Sequence, residues 1–232
     1  MKRLITTVLW DLRLEVQYQI VTVATLVTAL YVLIFLNIPG EYDQILVTLI
    51  FSDPALLGFM FIGGLVLFEK RAGTLEALVV TPLRVWQYLW AKTISLTLIA
   101  LPCSVGMAVA GHGWQLHYPY FLLGVVLTSC LFVLIGFIGV ARVKTLNQYL
   151  IVVPMFLIPF FLPLFNFFGV TNTFWLYLIP SQASLILLEA GLSSEVATEE
   201  IIYAITYLLI CIGLAYFFAR LSYIKYIIWK AS

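Results

Sequence analysis

Charge is scarce in this chain. Of 232 residues, 10% are Asp, Glu, Lys or Arg, against about 25% in soluble domains. Hydrophobic residues make up 63%, and the mean hydropathy is +1.09. Those values exclude a soluble domain and leave no stretch for a separate one, so residues 1–232 read as a single membrane domain. Cysteine occurs three times. Cys103, Cys130 and Cys211 all sit in apolar runs, and their odd number argues against a disulfide framework, so they read as small core residues. Histidine occurs twice. His112 and His117 share one turn without a Cys or a helix-placed carboxylate beside them, so no metal site is expected. There is no Ser/His/Asp arrangement of a hydrolase, and no catalytic residue is expected. No Gly-x-x-x-x-Gly-Lys-Ser/Thr loop occurs, so the chain lacks the phosphate cradle needed to use ATP itself. No internal repeat is visible, and nothing favours a repeat-built secondary transporter.

What charge there is has a pattern. All twelve Lys and Arg residues fall in four clusters: Lys2/Arg3/Arg13, Lys70/Arg71/Arg84/Lys92, Arg142/Lys144 and Arg220/Lys225/Lys230. Between clusters the chain has apolar length for a crossing out and a crossing back. Lys and Arg stay on the cytoplasmic side, which predicts a multi-pass protein of the cell membrane with both termini cytoplasmic. Glu41, Asp43, Glu189, Glu195, Glu199 and Glu200 fall in the outer segments. This sorting explains the basic clusters without nucleic acid. Trp10, Trp86, Trp90 and Trp229 fall near the inner interface, and Trp114 and Trp175 near the outer one, as an aromatic belt.

Six spans follow, in an all-α fold. Residues 1–17 form an amphipathic interfacial helix, with Leu4, Ile5, Val8, Leu9, Leu12 and Val16 toward lipid and Lys2, Arg3, Asp11, Arg13 and Glu15 on the other face. The alternative is that this segment simply begins the first span. That span covers about 18–36, and Pro39-Gly40 turns the chain. The second runs over 45–68, interrupted by Ser52-Asp53-Pro54. The triplet reads as a helix start: a capping side chain, an acid at the positive helix end, and Pro where its missing N–H costs nothing. Asp53 is then either an N-cap near the outer surface or an intramembrane substrate or proton site. Further spans cover about 94–110, 120–140, 149–167 and 201–221. Within the third, Gly106 and Ala110 offer a small-residue helix contact. The fifth contains Pro154, Pro159 and Pro163, which either kink it for packing or break it where protein or a cavity covers the backbone. With Asp53 they are candidate substrate-path residues. Residues 168–200 form an outer loop. Phe174–Leu188 is apolar, but a span there would place Arg220, Lys225 and Lys230 outside, so the segment reads as a broken re-entrant hairpin before the last helix.

The longest inner loop, 69–92, is the most informative. Gly73 can end the helix emerging from the second span, Thr74 can cap a short helix over 75–80, and Thr81-Pro82 can stop it. Leu75, Leu78 and Val79 give that short helix an apolar patch beside Glu76. A docking element for a soluble partner and a membrane-surface helix without one both fit.

The stretch Glu69-Lys-Arg-Ala-Gly-Thr-Leu-Glu-Ala-Leu-Val-Val-Thr-Pro-Leu, followed by Lys92, resembles the signature of permease subunits of ATP-binding-cassette type 2 exporters. The Ser52-Asp-Pro-Ala-Leu-Leu-Gly58 stretch is similar to the short permease of fluoroquinolone-type drug exporters. The resemblance implies that Gly73, Thr74, Leu75, Glu76, Leu78, Thr81 and Pro82 belong to a coupling helix seated in a separate ATPase subunit, which would bind the ATP, so no cofactor is expected on this chain. It implies that Glu69, Lys70 and Arg71 form a gate linking the interfacial helix to that site. A second permease, identical or related, would complete the path for a small apolar or amphipathic drug or lipid. A membrane scaffold that recruits a cytoplasmic protein, or an intramembrane enzyme using Asp53 and the histidines, are the competing readings.

Overall fold

The computed structural model describes residues 2–37, 43–75, 84–171, 173–193 and 196–225. The Pro39-Gly40 turn, Glu41, Glu195, Trp229 and Lys230 lie outside them. Among the described residues the fold is all-α. Its helices are α1 (Lys2–Gln17), α2 (Ile20–Asn37), α3 (Asp43–Ser52), α4 (Gly58–Arg71), α5 (Val85–His112), α6 (Tyr118–Ala141), α7 (Leu146–Phe161), α8 (Pro163–Phe167), α9 (Pro180–Leu192) and α10 (Thr198–Tyr223). Six segments are long and apolar enough to cross a membrane: 20–37, 43–71, 85–112, 118–141, 146–167 and 198–223.

Helix α6 is the centre. It packs against α4, α5, α9 and α10, and it is apolar all round: most of its side chains are buried in the bundle, while Leu122 and Leu123 stay exposed. Close approach depends on small residues. A Cβ on Gly136 would press on the backbone of Phe59, and one on Gly63 would enter the ring of Tyr149. That ring stacks on Phe59, and its hydroxyl donates to the Phe59 carbonyl. Gly106 of α5 lies beside Thr28 of α2, so the small-residue contact is real on its Gly106 side.

The two ends of the bundle differ in charge. Arg71 and Arg84 share an end with the α6–α7 turn, because Lys70 Nζ donates to the Val143 carbonyl at 3.2 Å. The end of α10 joins them through the Tyr88–Tyr223 ring contact at 5.0 Å. At the opposite end, Asp43 Oδ1 meets His112 Nδ1 at 3.0 Å, and the His117 N–H donates to the Gly191 carbonyl.

Four expectations are corrected. First, Ser52-Asp53-Pro54 starts no helix. Ser52 is helical (φ −66°, ψ −30°) and caps nothing; its hydroxyl donates back to Leu49. The chain continues from α3 into α4 through a π-helical turn, Asp53–Leu57. The wider turn accommodates the missing N–H of Pro54 without ending the helix. Second, the helix that carries the third span is longer than the span itself: α5 runs unbroken from Val85 to His112, so residues 85–93 extend it at the basic end. Third, Pro154 and Pro159 are exposed on α7, which continues past both. The break comes at Leu162, and Pro163, at the first position of α8, is the buried one.

The fourth correction concerns α1. It is a separate helix: the chain breaks at Gln19, which has φ 60°, a left-handed conformation that side chains other than Gly and Asn rarely adopt. Yet its charged residues do not share one face. Asp11 and Glu15 are buried, whereas Ile5, Leu9, Trp10 and Val16 are exposed. The two acids, one turn apart, point into the bundle.

The apolar run at 174–188 is not a single helix. A 3₁₀ turn, Phe174–Leu178, precedes α9. The hydroxyls of Tyr203 and Tyr207 donate to the Tyr177 and Leu178 carbonyls, each at 2.5 Å, and strap that turn to α10. Helix α9 has 13 residues, about 20 Å at 1.5 Å per residue, too short to cross. It is buried almost throughout, against α3, α6 and α10.

Candidate functional site

Lys92 is fully buried, well inside α5 and flanked by Ala91 and Thr93. A charge there needs partners, and the fold brings two. Asp11 Oδ1 of α1 lies 2.6 Å from Nζ, and Glu69 Oε1, in the last turns of α4, also pairs with it. The second oxygen of Glu69 accepts from the Tyr88 hydroxyl at 2.6 Å. Tyr88 lies one turn before Lys92, with the ammonium 5.6 Å from its ring centroid. Its ring also meets Phe137 of α6 and Tyr223 of α10. Beside this node, Glu15 Oε1 accepts from the Ser95 hydroxyl at 2.6 Å. One lysine thus ties α1, α4 and α5 together, and its neighbouring tyrosine brings in α6 and α10.

Three buried acids, Asp11, Glu15 and Glu69, face one buried base, an excess of negative charge. Burial pushes the Asp11 carboxyl up to about 6 against the pull of Lys92. Burial pushes Glu15 up to about 7 although the Ser95 hydroxyl bond opposes it. The sign follows. A carboxyl raised in the folded state stabilises the fold most below its ordinary value, 4.5 for Glu15, and that contribution is lost as pH rises through about 7. The shift of Glu15 corresponds to about 3 kcal/mol at most. Between pH 5 and pH 8 the thermal midpoint of the solubilised protein should therefore fall, and Glu15→Gln should flatten the slope. An unchanged slope in that variant would remove Glu15 as the titrating group.

The node stands at the root of the long loop. Helix α4 ends at Arg71. The Ala72 N–H bonds to the Phe68 carbonyl, and Gly73 takes φ 68°, the left-handed position that glycine fills after a helix. Gly73 therefore ends the helix as its sequence suggests, and Arg71, Gly73 and Thr74 are exposed. Leu75 is 3% exposed and belongs to the core. Its side chain holds the segment to the bundle and is not part of an outward apolar patch. Glu76, Leu78, Thr81 and Pro82 lie outside the described residues.

The other sequence candidates are dispersed. Asp53 is buried within the π turn, far from Glu69 along the same helix. Pro154 and Pro159 face outward on α7. His112 pairs with Asp43, and among the described residues no group of three His, Cys, Asp or Glu is placed to hold a metal ion. The cysteines are free. Sequence reading missed the parts of Lys92, Asp11, Glu15 and Tyr88 in the node. Two signals were available: a lysine deep in an apolar helix must find acids, and Asp11 and Glu15 are spaced to share one helix face.

Residues 2–231 match the Fluoroquinolones export permease protein family. Two fluoroquinolones export permease proteins of Mycobacterium tuberculosis, from strains CDC 1551 / Oshkosh and ATCC 25618 / H37Rv, are each 31% identical over 217 residues. Each alignment covers 91% of this chain and 90% of the relative.

Proposed function

Since the chain belongs to the fluoroquinolones export permease protein family, we propose that it is the membrane-spanning half of an ATP-driven exporter, coupled to a separate ATPase subunit. A multi-pass export permease is what the family and the six apolar helices support. The coupling is carried by one observation: the Glu69–Lys92–Asp11 node anchors the root of the 69–92 loop to three helices at once. A segment pushed from outside moves a bundle only if its root is stiff. Here the exposed Ala72-Gly73 turn leads through Thr74 to the buried Leu75, and the node lies directly behind α4. ATP-driven closure of two ATPases would press residues 73–82 and tilt α4 and α5 with α1 attached. Glu69 acts inside the gate; Lys70 fixes the same end to the α6–α7 turn through the Val143 carbonyl. The basic end of the bundle faces the cytoplasm in this reading, following the sidedness of Lys and Arg, and the short helix α9 with its 3₁₀ turn forms a re-entrant cover on the outer side.

A second permease completes the path. The exposed apolar residues of α2, α7 and α10, such as Leu30, Ile151 and Leu214, meet the bilayer and that second subunit. The substrate is a small apolar or amphipathic molecule; the two relatives are named for the export of fluoroquinolones.

The test is co-purification in mild detergent. The wild-type chain should bring down a soluble protein that carries a phosphate-binding loop, in a one-to-one ratio. Leu78→Asp should lose it while the permease stays monodisperse. Leu75→Asp is unsuitable, because Leu75 is buried and the change would disturb the fold itself. A wild-type permease that purifies alone, or undiminished association in Leu78→Asp, would reject the coupling reading.

A further inference from the structure

The bundle holds another acid that the node does not use. Asp53 is 3% exposed, and among the described residues neither of its carboxyl oxygens has a hydrogen-bond partner. It opens a π turn, a form of helix found disproportionately at functional sites. Its neighbourhood is polar in the same unfinished way. Gly58 lies against Ser129 and Val133 of α6. An equal step back along both helices, from Gly58 to Asp53 and from Val133 to Thr128, brings Thr128 level with Asp53. Gly111 of α5 lies against Leu46 of α3, and an equal step from Gly111 back to Ser104 and from Leu46 on to Asp53 brings Ser104 to that level too. At the acidic end Asp43 and Leu192 border one pocket. Stepping from Asp43 to Asp53 while stepping back from Leu192 to Gln182 brings the start of α9 to the same height. The side-chain oxygens of Thr128, Ser104, Ser181 and Gln182 are all buried without partners. Unpaired polar atoms are costly in a hydrocarbon-facing bundle. A whole level of them points to a ligand that completes them.

The sign of that ligand's charge follows from the distribution. Beyond Lys92 toward the acidic end, no described residue is Lys or Arg. Among the described residues, the ionisable carboxyls there are Asp43, Asp53, Glu189, Glu199 and Glu200. Near that end Phe174, Tyr177, Tyr203 and Tyr207, with Glu199 and Glu200, line a pocket of about 330 Å³. The surface of that pocket is almost wholly apolar, and aromatic faces are favourable surroundings for an organic cation.

We propose that Asp53 supplies the counter-charge for a cationic amphiphile, an apolar molecule bearing an ammonium- or phosphonium-type charge, as it passes through the bundle. The proposal rests on the exporter reading and names the substrate class that Asp53 would select. The hydroxyls of Ser104 and Thr128 and the carboxamide of Gln182 take the place of water around the charge. Sorting of basic residues to one side explains why Lys and Arg are missing from the outer half; it does not explain why an acid is buried there.

Two probes separate charge from greasiness: tetraphenylphosphonium, and uncharged triphenylphosphine oxide. Equilibrium binding of each is measured on the purified permease in phosphatidylcholine nanodiscs. Asp53→Asn should weaken tetraphenylphosphonium by at least about tenfold and leave triphenylphosphine oxide unchanged. Asp53→Glu should keep the preference for charge. Tetraphenylphosphonium should raise the thermal midpoint of the wild-type protein and not that of Asp53→Asn. Failure of the wild type to bind tetraphenylphosphonium, equal binding in Asp53→Asn, or equal weakening of both probes would overturn the assignment. Efflux of triphenylphosphine oxide by the permease–ATPase complex tests the exporter reading separately. If that efflux persists while the charge preference is absent, the exporter stands and the role of Asp53 falls.

Discussion

Lys92→Met should cost the folded bundle about 3–5 kcal/mol, the usual consequence of removing one partner from a buried ion pair. The substitution keeps the unbranched stem of the side chain and deletes the terminal ammonium, leaving Asp11 and Glu69 facing each other with no cation between them. Both acids are buried, so water cannot substitute. The loss should appear as a thermal midpoint lower by about 10 °C in detergent. The triple variant Asp11→Asn, Glu69→Gln, Lys92→Met should recover most of it, because neutral groups of the same shape carry no stranded charge. A Lys92→Met protein that melts with the wild type would show that the node contributes nothing to the joint between α1, α4 and α5. The triple variant has a second use: if it folds but no longer transmits ATP turnover to export, the node serves the motion more than the stability.

Gly191→Val should be as severe, for a different reason. A Cβ at that position would lie 2.7 Å from both Cα and Cβ of Phe121 and 2.9 Å from its nitrogen. Backbone atoms cannot rotate away, so α9 must shift from α6. With it would go the packing of Leu187 and Leu188 on Gly124. Overpacking of this kind costs about 3 kcal/mol, and less folded, monodisperse protein should be recovered by size exclusion. Gly213→Val is the matched control: it lies on α10 with nothing within 4 Å of its added Cβ, and its yield should match the wild type. Equal losses in the two variants would mean that glycine-to-valine exchange in any helix is harmful, and that the α6–α9 contact is not special.

The spans were legible in the sequence because crossing a membrane requires length and apolar composition, and both can be counted. Gly73 was legible because the residue after a helix end has a backbone preference of its own. The node was not legible. Asp11 and Lys92 are 81 positions apart and Glu69 and Lys92 are 23 apart, and no local pattern states that distant charges will meet. The periodicity of α1 puts its acids on the face away from lipid, on the rule that charges leave lipid. That rule is correct, but a helix docked on protein has a third environment. Ser52-Asp53-Pro54 misled for a sharper reason. A cap, an acid and a proline are what a helix start needs, and they are equally what a π turn tolerates. Only the continuation of α3 into α4, set by packing on α6 and α9, distinguishes the two. The inward side of Leu75 was also hidden, since an apolar residue on a short amphipathic helix can serve its own chain or a partner equally well.

Helix α9 has a consequence for the order of synthesis. It is made after five of the six spans, yet it fills the space between α3 and α6. Until the ribosome reaches residue 192, Phe121 and Gly124 have no protein on that side, and lipid or a chaperone must occupy the place. The bundle therefore cannot close in the order in which it is translated. Its centre is completed late, and damage to the stretch from 180 to 192 would be felt by helices that had already entered the membrane.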